Sequence, residues 1–262
     1  MDFKEQYGPW ALITGGSEGV GAAFARHLAM AGINIVLVAR RPGPLEETAA
    51  AIRTEYGVEV RTLSLDLSAP DMLEQIAALT ADVEIGFLVC NAGSVYAVGP
   101  FVQSTVNKIT RTVRQNTLGL ALQCHHFGEK MAARGRGGIV LVGSMAGNAG
   151  GATMALYSAG KAFSQSLAEA LWAELKPVGV DVVYVVLGAV DTPNRAKADM
   201  HDAPGLVIDA PADIARDTLR DIAEGPVLVR PHMIEDFKTY CSLPRRQAAE
   251  AMRDMLTGFQ GR

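Results

Sequence analysis

The chain has 262 residues, and its 24 Lys and Arg against 28 Asp and Glu give a formal net charge of −4 at pH 7. Hydrophobic residues make up 49% of it and charged residues 20%, a balance that excludes a disordered or fibrous protein. The acidic surplus argues against a nucleic-acid-binding protein, because phosphate binding needs an excess of Lys and Arg.

Apolar segments predict strands and helices that alternate along most of the chain. In chain order, the predicted elements are strand Trp10–Thr14, helix Val20–Ala31, strand Ile33–Ala39, helix Pro42–Tyr56, strand Val58–Leu65, helix Pro70–Thr80, strand Ile85–Cys90, helix Ser104–Ala133, strand Gly138–Val142, helix Met154–Lys176, strand Val180–Leu187, helix Ala212–Glu224 and strand Val227–Val229. Strands that are apolar on both faces and alternate with helices are typical of a parallel sheet covered on both sides. We therefore predict an α/β fold, a doubly wound, Rossmann-like parallel sheet of about seven strands with helices on both faces.

The chain shows no repeat and no linker-like change of composition, so we expect one domain over residues 1–262. Two segments depart from the alternation. Gly188–Pro211 is longer than an ordinary connection and is predicted to be a substrate lid. The segment 231–262 reads as a helical tail, which either closes the substrate side or packs against a second subunit.

Cysteine use and the N-terminus indicate a cytoplasmic protein. Cys90, Cys124 and Cys241 cannot all pair, and none lies in a CxxC motif, which is typical of a reducing compartment. The first residues are acidic and polar rather than a basic and apolar leader. The longest stretch without charge, Gly137–Gly160, is interrupted by glycines and polar residues and would be a poor membrane span.

A glycine-rich segment follows the first predicted strand and opens a helix. Glycines let a backbone approach a pyrophosphate, and a helix N-terminus offers unpaired N–H groups and a positive dipole end. The alternative is a tight glycine turn without a ligand. The residues predicted to hold a nucleotide cofactor here are Thr14, Gly15, Ser17, Glu18, Gly19, Val20 and Gly21.

The end of the second strand indicates which nucleotide is bound. NAD enzymes usually carry an acid there for the ribose 2′-hydroxyl, whereas this chain has Arg40 and Arg41, which suit a 2′-phosphate. Glu18 is a complication, because its carboxylate would repel that phosphate, but two arginines should outweigh it. We therefore predict NADP(H), with NAD(H) as the alternative; the other interpretation of the two arginines is a solvated basic pair.

Tyr157 and Lys161 lie four residues apart near the start of a predicted helix, so they share one face. A phenol with a pKa of about 10 must lose two or three units, roughly 3–4 kcal/mol, to act as an acid–base near neutral pH. One ammonium about 4 Å away supplies roughly 4 kcal/mol at an effective dielectric constant near 20. The pair therefore predicts an acid–base site, the alternative being a solvated helix face.

Three further motifs have simple structural explanations when each is taken alone. Ser144 closes the fifth strand and could cap it. Asn116 lies in the middle of a helix, where an amide competes for backbone hydrogen bonds, and could be a buried amide satisfied by the backbone. Asn91-Ala92-Gly93 could be only a turn after the fourth strand.

Together the motifs closely resemble the short-chain dehydrogenase/reductase family in order and spacing over about residues 8 to 195. The resemblance implies that Tyr157 donates or accepts the proton at the substrate oxygen, and that Lys161 lowers its pKa and holds the nicotinamide ribose. It also implies that Ser144 hydrogen-bonds the substrate oxygen and that Asn116 holds a water that relays protons to Lys161. The expected reaction moves a hydride between the nicotinamide and a carbonyl carbon.

The resemblance implies further cofactor contacts. Asp66, followed by Leu67, matches the position that meets the adenine, and Asn91 matches the residue that braces the central sheet beside the cofactor. Leu187 stands where the family has a proline. The implied cofactor contacts beyond the glycine-rich segment and its arginines are Asp66, Leu67, Asn91, Ala92, Gly93, Tyr157, Lys161, Gly188, Val190 and Thr192.

We expect a small, uncharged and rather apolar ketone, aldehyde or alcohol as substrate, such as an acyl or steroid-like compound. The candidate pocket is small or apolar and carries little basic charge; it comprises Ser94, Val95, Tyr96, the segment Asn148–Met154 and the lid. The alternatives are a non-catalytic NADP(H)-binding regulator, and an epimerase or dehydratase that uses the same tyrosine.

The remaining expectations concern partners and metals. The family usually forms dimers or tetramers through two long helices, here about Ser104–Ala133 and Met154–Lys176, so a homodimer or homotetramer is expected. His125 and His126 are neighbours that diverge on a helix, without a ligand set in register, so no metal is predicted.

Overall fold

A computed structural model of the chain describes residues 2–93, 99–197 and 206–260. Its strands are β1 (Trp10–Thr14), β2 (Asn34–Ala39), β3 (Val60–Ser64), β4 (Ile85–Cys90), β5 (Gly137–Val142), β6 (Val180–Val186), β7 (Ala189–Val190), β8 (Ile208–Asp209) and β9 (Val227–Val229). Its helices are α1 (Phe3–Tyr7), α2 (Gly19–Met30), α3 (Pro42–Tyr56), α4 (Met72–Leu79), α5 (Val106–Val113), α6 (Gly119–Arg134), α7 (Ala155–Leu175), α8 (Pro193–Lys197), α9 (Pro211–Arg220), α10 (Ile234–Ser242) and α11 (Arg245–Gln260).

Seven strands form one sheet in the order β3-β2-β1-β4-β5-β6-β9, and every pairing in it is parallel. The chain moves outward from β1 through β2 to β3 and then returns to β4 on the other side of β1. In such sheets the ligand site lies at this reversal, outside the carboxyl ends of the strands. The predicted doubly wound parallel sheet is confirmed.

Successive residues of each strand point to opposite faces of the sheet, and both faces are covered by helices. In β1, Ile13 joins a core with Phe24 of α2, while Leu12 joins a second core with Phe127 of α6. All five residues of β1 are buried. This two-sided burial explains why the strand segments are apolar throughout rather than alternating.

The helix predicted over Ser104–Ala133 is found as one unbroken helical segment from Val106 to Arg134, but it is not α-helical throughout. It consists of α5, a π-helical turn at Arg114–Leu118, and α6. The helix predicted over Ala212–Glu224 is α9 followed by a 3₁₀ turn at Ile222–Glu224. Further 3₁₀ turns lie at Phe101–Gln103, Met145–Gly147, Lys176–Val178 and Pro231–Met233.

The long segment after β6 contains structure that the sequence pattern did not indicate. Ala189–Val190 and Ile208–Asp209 form a separate two-stranded parallel sheet, which joins the two ends of this segment. Pro193–Lys197 forms α8, and 198–205 lie outside the described residues. Within the described ranges no helix has the length and apolarity needed to cross a bilayer.

Candidate active site

The glycine-rich segment forms a tight turn between β1 and α2. Gly15 and Gly19 have φ angles of 74° and 58°, in the left-handed region that favours glycine. A Cβ at Gly21 would lie only 2.2 Å from the Gly15 carbonyl oxygen, so the helix packs directly on the turn. Because α2 begins at Gly19, the amides of its first turn project toward the carboxyl end of β1. This backbone fits the pyrophosphate of a nucleotide, which remains a prediction.

Side chains from neighbouring strands hold the turn in place. The Asn91 side-chain amide donates to the Gly15 carbonyl oxygen at 2.9 Å, and the Thr14 hydroxyl donates to the Val89 carbonyl oxygen at 3.3 Å. The Ser17 carbonyl oxygen accepts from the Thr48 hydroxyl of α3 at 2.9 Å. These bonds lock the carboxyl ends of β1 and β4 together.

The predicted residues on the far side of the cleft also lie close to the turn. A Cβ at Gly19 would be 3.0 Å from Thr192 Cγ2, and one at Gly15 would be 3.0 Å from the Ala92 backbone. A Cβ at Gly93 would lie 3.0 Å from Lys161 Nζ. Three further predicted residues flank the cleft. Val20 and Val190 are buried, and Gly188 packs against Met233.

Charges gather at the carboxyl ends of β2 and β3. Glu18 and Arg41 form an ion pair of 2.6 Å, and Asp66 pairs with Arg111 of α5 at 2.6 Å. Burial would raise the pKa of Asp66, but hydrogen bonds from Ser68 and the charges of Arg111 and Arg40 hold it below its ordinary value. Three arginines therefore face two carboxylates at this end of the cleft. Leu67, the neighbour of Asp66, is buried in the core.

Arg111 is a candidate site residue that the sequence analysis missed. It lies on α5, forty-five positions from Asp66, and its guanidinium closes the adenine side of the predicted cleft. The sequence near it, Asn107-Lys108-Ile109-Thr110-Arg111, reads as an exposed helix face and carries no signal for this contact.

Ser144, Tyr157 and Lys161 meet beside the cleft. Ser144 follows β5, and its hydroxyl lies close enough to the Tyr157 phenol to lower the pKa of that phenol. Tyr157 and Lys161 share a face of α7, with Lys161 Nζ 5.7 Å from the centroid of the tyrosine ring. Lys161 Nζ also donates to the Val142 carbonyl oxygen at 2.6 Å. The spacing of the pair and the end of β5 thus bring three predicted side chains together.

The pKa values in this structure differ from the sequence-based expectation. Burial raises the pKa of Tyr157 above 10, opposed by the hydrogen bond from Ser144. Burial lowers the pKa of Lys161 to about 8, opposed by the electrostatic influence of the neighbouring Cys90. Because Lys161 donates to Val142 and both groups have lost solvent, the expected lowering of the phenol pKa by the ammonium is not found.

The π-helical turn places Asn116 at the site. Such turns add one residue to a helical turn and occur frequently at functional positions. Asn116 is buried and packs on Gly160 of α7, where a Cβ would be 3.0 Å from Asn116 Cβ. A cavity of about 20 Å³ lies between them and is lined by Gln115, Asn116 and Lys161, among others. Its volume and polar lining suit one water molecule.

The predicted substrate side is described in part. Ser94, Val95 and Tyr96 lie outside the described residues. The segment Asn148–Met154 packs against the tail, since Ala149 forms a small core with Ala248 and Met252 of α11. The tail therefore packs on the segment 148–154 of its own chain, and both predicted roles for it stay predictions.

The tail also brings charge that the sequence did not associate with this region. The Arg245 guanidinium donates twice to the Asn148 carbonyl oxygen, at 3.2 and 3.1 Å. A groove of about 600 Å³ between α7 and α11 is lined by Gly150, Ala159 and three arginines of the tail, Arg245, Arg246 and Arg253. The outer side of the segment 148–154 is thus more basic than the local sequence indicates.

No group of three or more His, Cys, Asp or Glu side chains converges within the described ranges in a way that could hold a metal ion. His126 Nε2 instead lies 3.0 Å from Lys130 Nζ on α6. Cys90, Cys124 and Cys241 are all unpaired, the first two buried and the third exposed.

Known proteins share the sequence of this chain over most of its length. A family model described as short chain dehydrogenase matches residues 9–203. A 7beta-hydroxysteroid dehydrogenase from Collinsella aerofaciens is 35% identical over 194 residues, which are 74% of this chain and 73% of that protein.

Solved structures agree with the sequence comparison. A 7beta-hydroxysteroid dehydrogenase structure matches with a TM-score of 0.89 at 27% identity, over 96% of this chain and 99% of that chain. A short-chain dehydrogenase from Sphingobium yanoikuyae, in complex with NADPH, matches with a TM-score of 0.78 at 32% identity, over 95% of each chain.

Proposed function

The chain belongs to the short-chain dehydrogenase family of oxidoreductases, and from this membership we propose that it interconverts an apolar ketone or aldehyde and the matching alcohol with NADP(H). The observation that carries the proposal is the convergence of Ser144, Tyr157 and Lys161 beside the carboxyl ends of the strands. A phenol, a hydroxyl and an amine next to a nucleotide-shaped cleft can bind and protonate a carbonyl oxygen.

The cleft offers one group for each part of NADP(H). The amides at the start of α2 would hold the pyrophosphate, and Arg40 and Arg41 the 2′-phosphate. Asp66 would face the adenine, and Thr192 the carboxamide. When bound, NADPH supplies the hydride that reduces the carbonyl carbon.

The side chains of the chain itself manage the oxygen and the proton. Ser144 donates a hydrogen bond to the substrate oxygen, and Tyr157 gives that oxygen its proton. Because burial raises the pKa of Tyr157, its phenol is protonated at neutral pH, which is the form that reduction requires. A water in the cavity between Asn116 and Lys161 would return a proton to the site.

We propose a polycyclic ketone or secondary alcohol of the steroid class as substrate. The resemblance to 7beta-hydroxysteroid dehydrogenases in sequence and in structure supports this class. The small side chains of the segment Asn148–Met154 also support it, because they leave room for a bulky apolar ring system.

A homodimer or homotetramer is also proposed. Large apolar side chains are exposed along the two long helices that the sequence analysis named for this contact. They are Val106, Val113, Leu118, Leu122 and Phe163.

The test is NADPH oxidation by the purified protein, followed by absorbance, over a panel of a 7-oxosteroid, a 3-oxoacyl thioester and a short aldehyde. We expect turnover with the steroid, and its loss in Tyr157→Phe with NADPH affinity kept within a few-fold. Tight NADPH binding without turnover of any carbonyl would favour a non-catalytic NADP(H)-binding protein. Product formation without net loss of NADPH would favour an epimerase or dehydratase.

A further inference from the structure

Tyr184 lies in β6 and is fully buried, at 0% exposure. Its hydroxyl reaches the catalytic groups from below: it accepts from the Ser144 amide at 3.0 Å and lies 3.3 Å from the Lys161 carbonyl oxygen. The Ser144 carbonyl oxygen is 3.4 Å away. A hydroxyl has one proton to donate, so this one accepts from Ser144 and donates to one of the two carbonyls. The Tyr184 hydroxyl oxygen thus links the backbone at the end of β5 to the backbone of α7.

Gly143 makes this position of the ring possible. A Cβ at Gly143 would lie 2.0 Å from Tyr184 Cζ and 2.4 Å from each Cε, far inside contact distance. The Gly143 amide donates to the Val185 carbonyl oxygen at 2.8 Å, and the Met145 amide to the Leu187 carbonyl oxygen at 2.9 Å. Because β6 fixes the backbone on both sides, the chain cannot move away from the ring. Glycine at 143 and tyrosine at 184 therefore form a fitted pair.

Ser144 itself is extended, with a φ of −163° and a ψ of 149°. In an extended segment alternate amides point to opposite sides, so the Ser144 amide points away from the bonds that Gly143 and Met145 make to β6. Tyr184 supplies the partner for this amide. Without it, the partly buried Ser144 amide would lack this hydrogen bond, and the segment would relax toward another partner.

We propose that Tyr184 is a positioning residue that sets the placement of Ser144 relative to Lys161, and that Gly143 is required to admit its ring. The proposal rests on the proposed carbonyl reduction, in which both residues take part. Tyr184 acts through these neighbours, since its hydroxyl is already engaged with backbone atoms at the floor of the site.

The consequence can be measured in a pH profile. The hydrogen bond from Ser144 lowers the pKa of Tyr157, so a displaced Ser144 lets that pKa rise. The titratable groups around the Tyr184 hydroxyl are Tyr157 and Glu169 of α7, and Lys161 with Cys90 of β4 beside it. Burial raises the pKa of Tyr184 itself, so its hydroxyl stays protonated over the pH range of the assay. A limb in the pH profile of activity therefore does not come from Tyr184.

Tyr184→Phe keeps the ring and removes only the hydroxyl. In the oxidation direction, which needs the tyrosinate, we expect kcat to fall roughly ten- to a hundred-fold. The acid limb of the pH profile should move up by about half a unit to one unit. KM for the cofactor should stay within about two-fold, because Tyr184 has no hydrogen bond to the glycine-rich turn.

Tyr7→Phe is the matched control. Tyr7 is also buried and its hydroxyl donates at 2.7 Å to Asp181 Oδ2, on the same strand as Tyr184. Each variant removes one buried tyrosine hydroxyl. The Tyr7 hydroxyl donates a hydrogen bond to a residue of β6, and the Tyr184 hydroxyl belongs to a residue of β6. Tyr7→Phe should lower the melting temperature without moving the acid limb.

Gly143→Ala is a second variant, which displaces the ring but keeps the hydroxyl, and it should move the limb in the same direction as Tyr184→Phe. Hydrogen–deuterium exchange over residues 143–147 adds a measurement that needs no turnover. Faster exchange in Tyr184→Phe, but not in Tyr7→Phe, is expected.

Two failures can be told apart. A wild-type protein that turns over no carbonyl overturns the proposed function, and the exchange measurement still decides the role of Tyr184. If the wild type is active, an unchanged limb and unchanged exchange in Tyr184→Phe, or an equal shift in Tyr7→Phe, overturn the positioning role.

Discussion

The guanidinium of Arg41 and the carboxylate of Glu18 lie 2.6 Å apart and join the end of β2 to the glycine-rich turn. From the sequence alone, Glu18 is expected to repel a 2′-phosphate. The ion pair changes this interpretation, because the carboxylate is already neutralised by an arginine. Arg40 and Arg111 both lie near Asp66, so three arginines and two carboxylates stand at this end of the cleft.

We expect the double substitution Arg40→Ala/Arg41→Ala to raise KM for NADPH roughly ten-fold or more, with KM for NADH changed about two-fold at most. The reason is that both arginines would contact the phosphate that only NADPH carries. Steady-state kinetics with each cofactor measure the two ratios, and Arg26→Ala, at an exposed position of α2, is the control. Equal effects on both cofactors would remove the NADP(H) assignment.

Glu18→Gln is expected to lower KM for NADPH by about two- to five-fold while leaving KM for NADH unchanged. The substitution removes the carboxylate that competes for Arg41 and keeps the shape of the side chain. Steady-state kinetics with NADPH and with NADH, at low and at moderate salt, measure the change. A weaker affinity would mean that Glu18 holds Arg41 in its binding orientation rather than competing for it.

Ser144→Ala should move the acid limb of alcohol oxidation to higher pH by about half a unit to one unit. The hydrogen bond from Ser144 lowers the pKa of Tyr157, so its removal raises that pKa and leaves less tyrosinate at any given pH. Ketone reduction needs the protonated phenol, so its alkaline limb should move up as well. The rates of both reactions should fall, because the substrate oxygen loses a donor.

The control for this profile is Ser166→Ala, at an exposed position of the same helix as Tyr157. It should leave both limbs in place. A limb that moves down in Ser144→Ala would contradict the hydrogen bond as the cause and would point to Lys161 as the dominant influence on the phenol.

The parts of the fold that follow from local patterns were predictable. Trp10–Thr14 and Ile85–Cys90 are predicted to the residue, because each is a short apolar run bounded by polar residues or glycine. Tyr157 and Lys161 meet because helical spacing alone places them on one face. Their common position beside Ser144 follows from the parallel order of β5 and the helix after it.

Contacts between distant segments were not predictable in the same way. Nothing in the sequence around Asn116 signals that the helix gains a π turn there, since the change depends on packing against α7. Arg111 meets Asp66 across 45 positions, and Tyr184 reaches Ser144 across 40. The sequence shows Tyr184 among the valines of β6 and Gly143 at the end of β5, but it does not show that the two residues are in contact.

Lys161→Met should abolish turnover and stabilise the protein at neutral pH. Burial lowers the pKa of Lys161 from 10.5 to about 8. Below pH 8 the amine is charged in both the folded and the unfolded state, so the cost of burying that charge is fully present. Between about pH 8 and 10.5 the unfolded state binds more protons than the folded state, so stability rises with pH by up to about 3 kcal/mol in total. The methionine variant lacks this dependence.

Urea unfolding of wild type and Lys161→Met at pH 7 and pH 10 measures the difference in the free energy of unfolding. The variant should be the more stable protein at pH 7, and this advantage should shrink at pH 10 as the wild-type amine loses its charge. Lys238→Met, at an exposed lysine of α10, should show no such change between the two pH values. A constant difference from pH 7 to pH 10 would mean that Lys161 is not held against its charged form. In that case, burying the charged Lys161 amine beside Tyr157 would not lower the free energy of unfolding, and no other interaction in the chain would need to offset it.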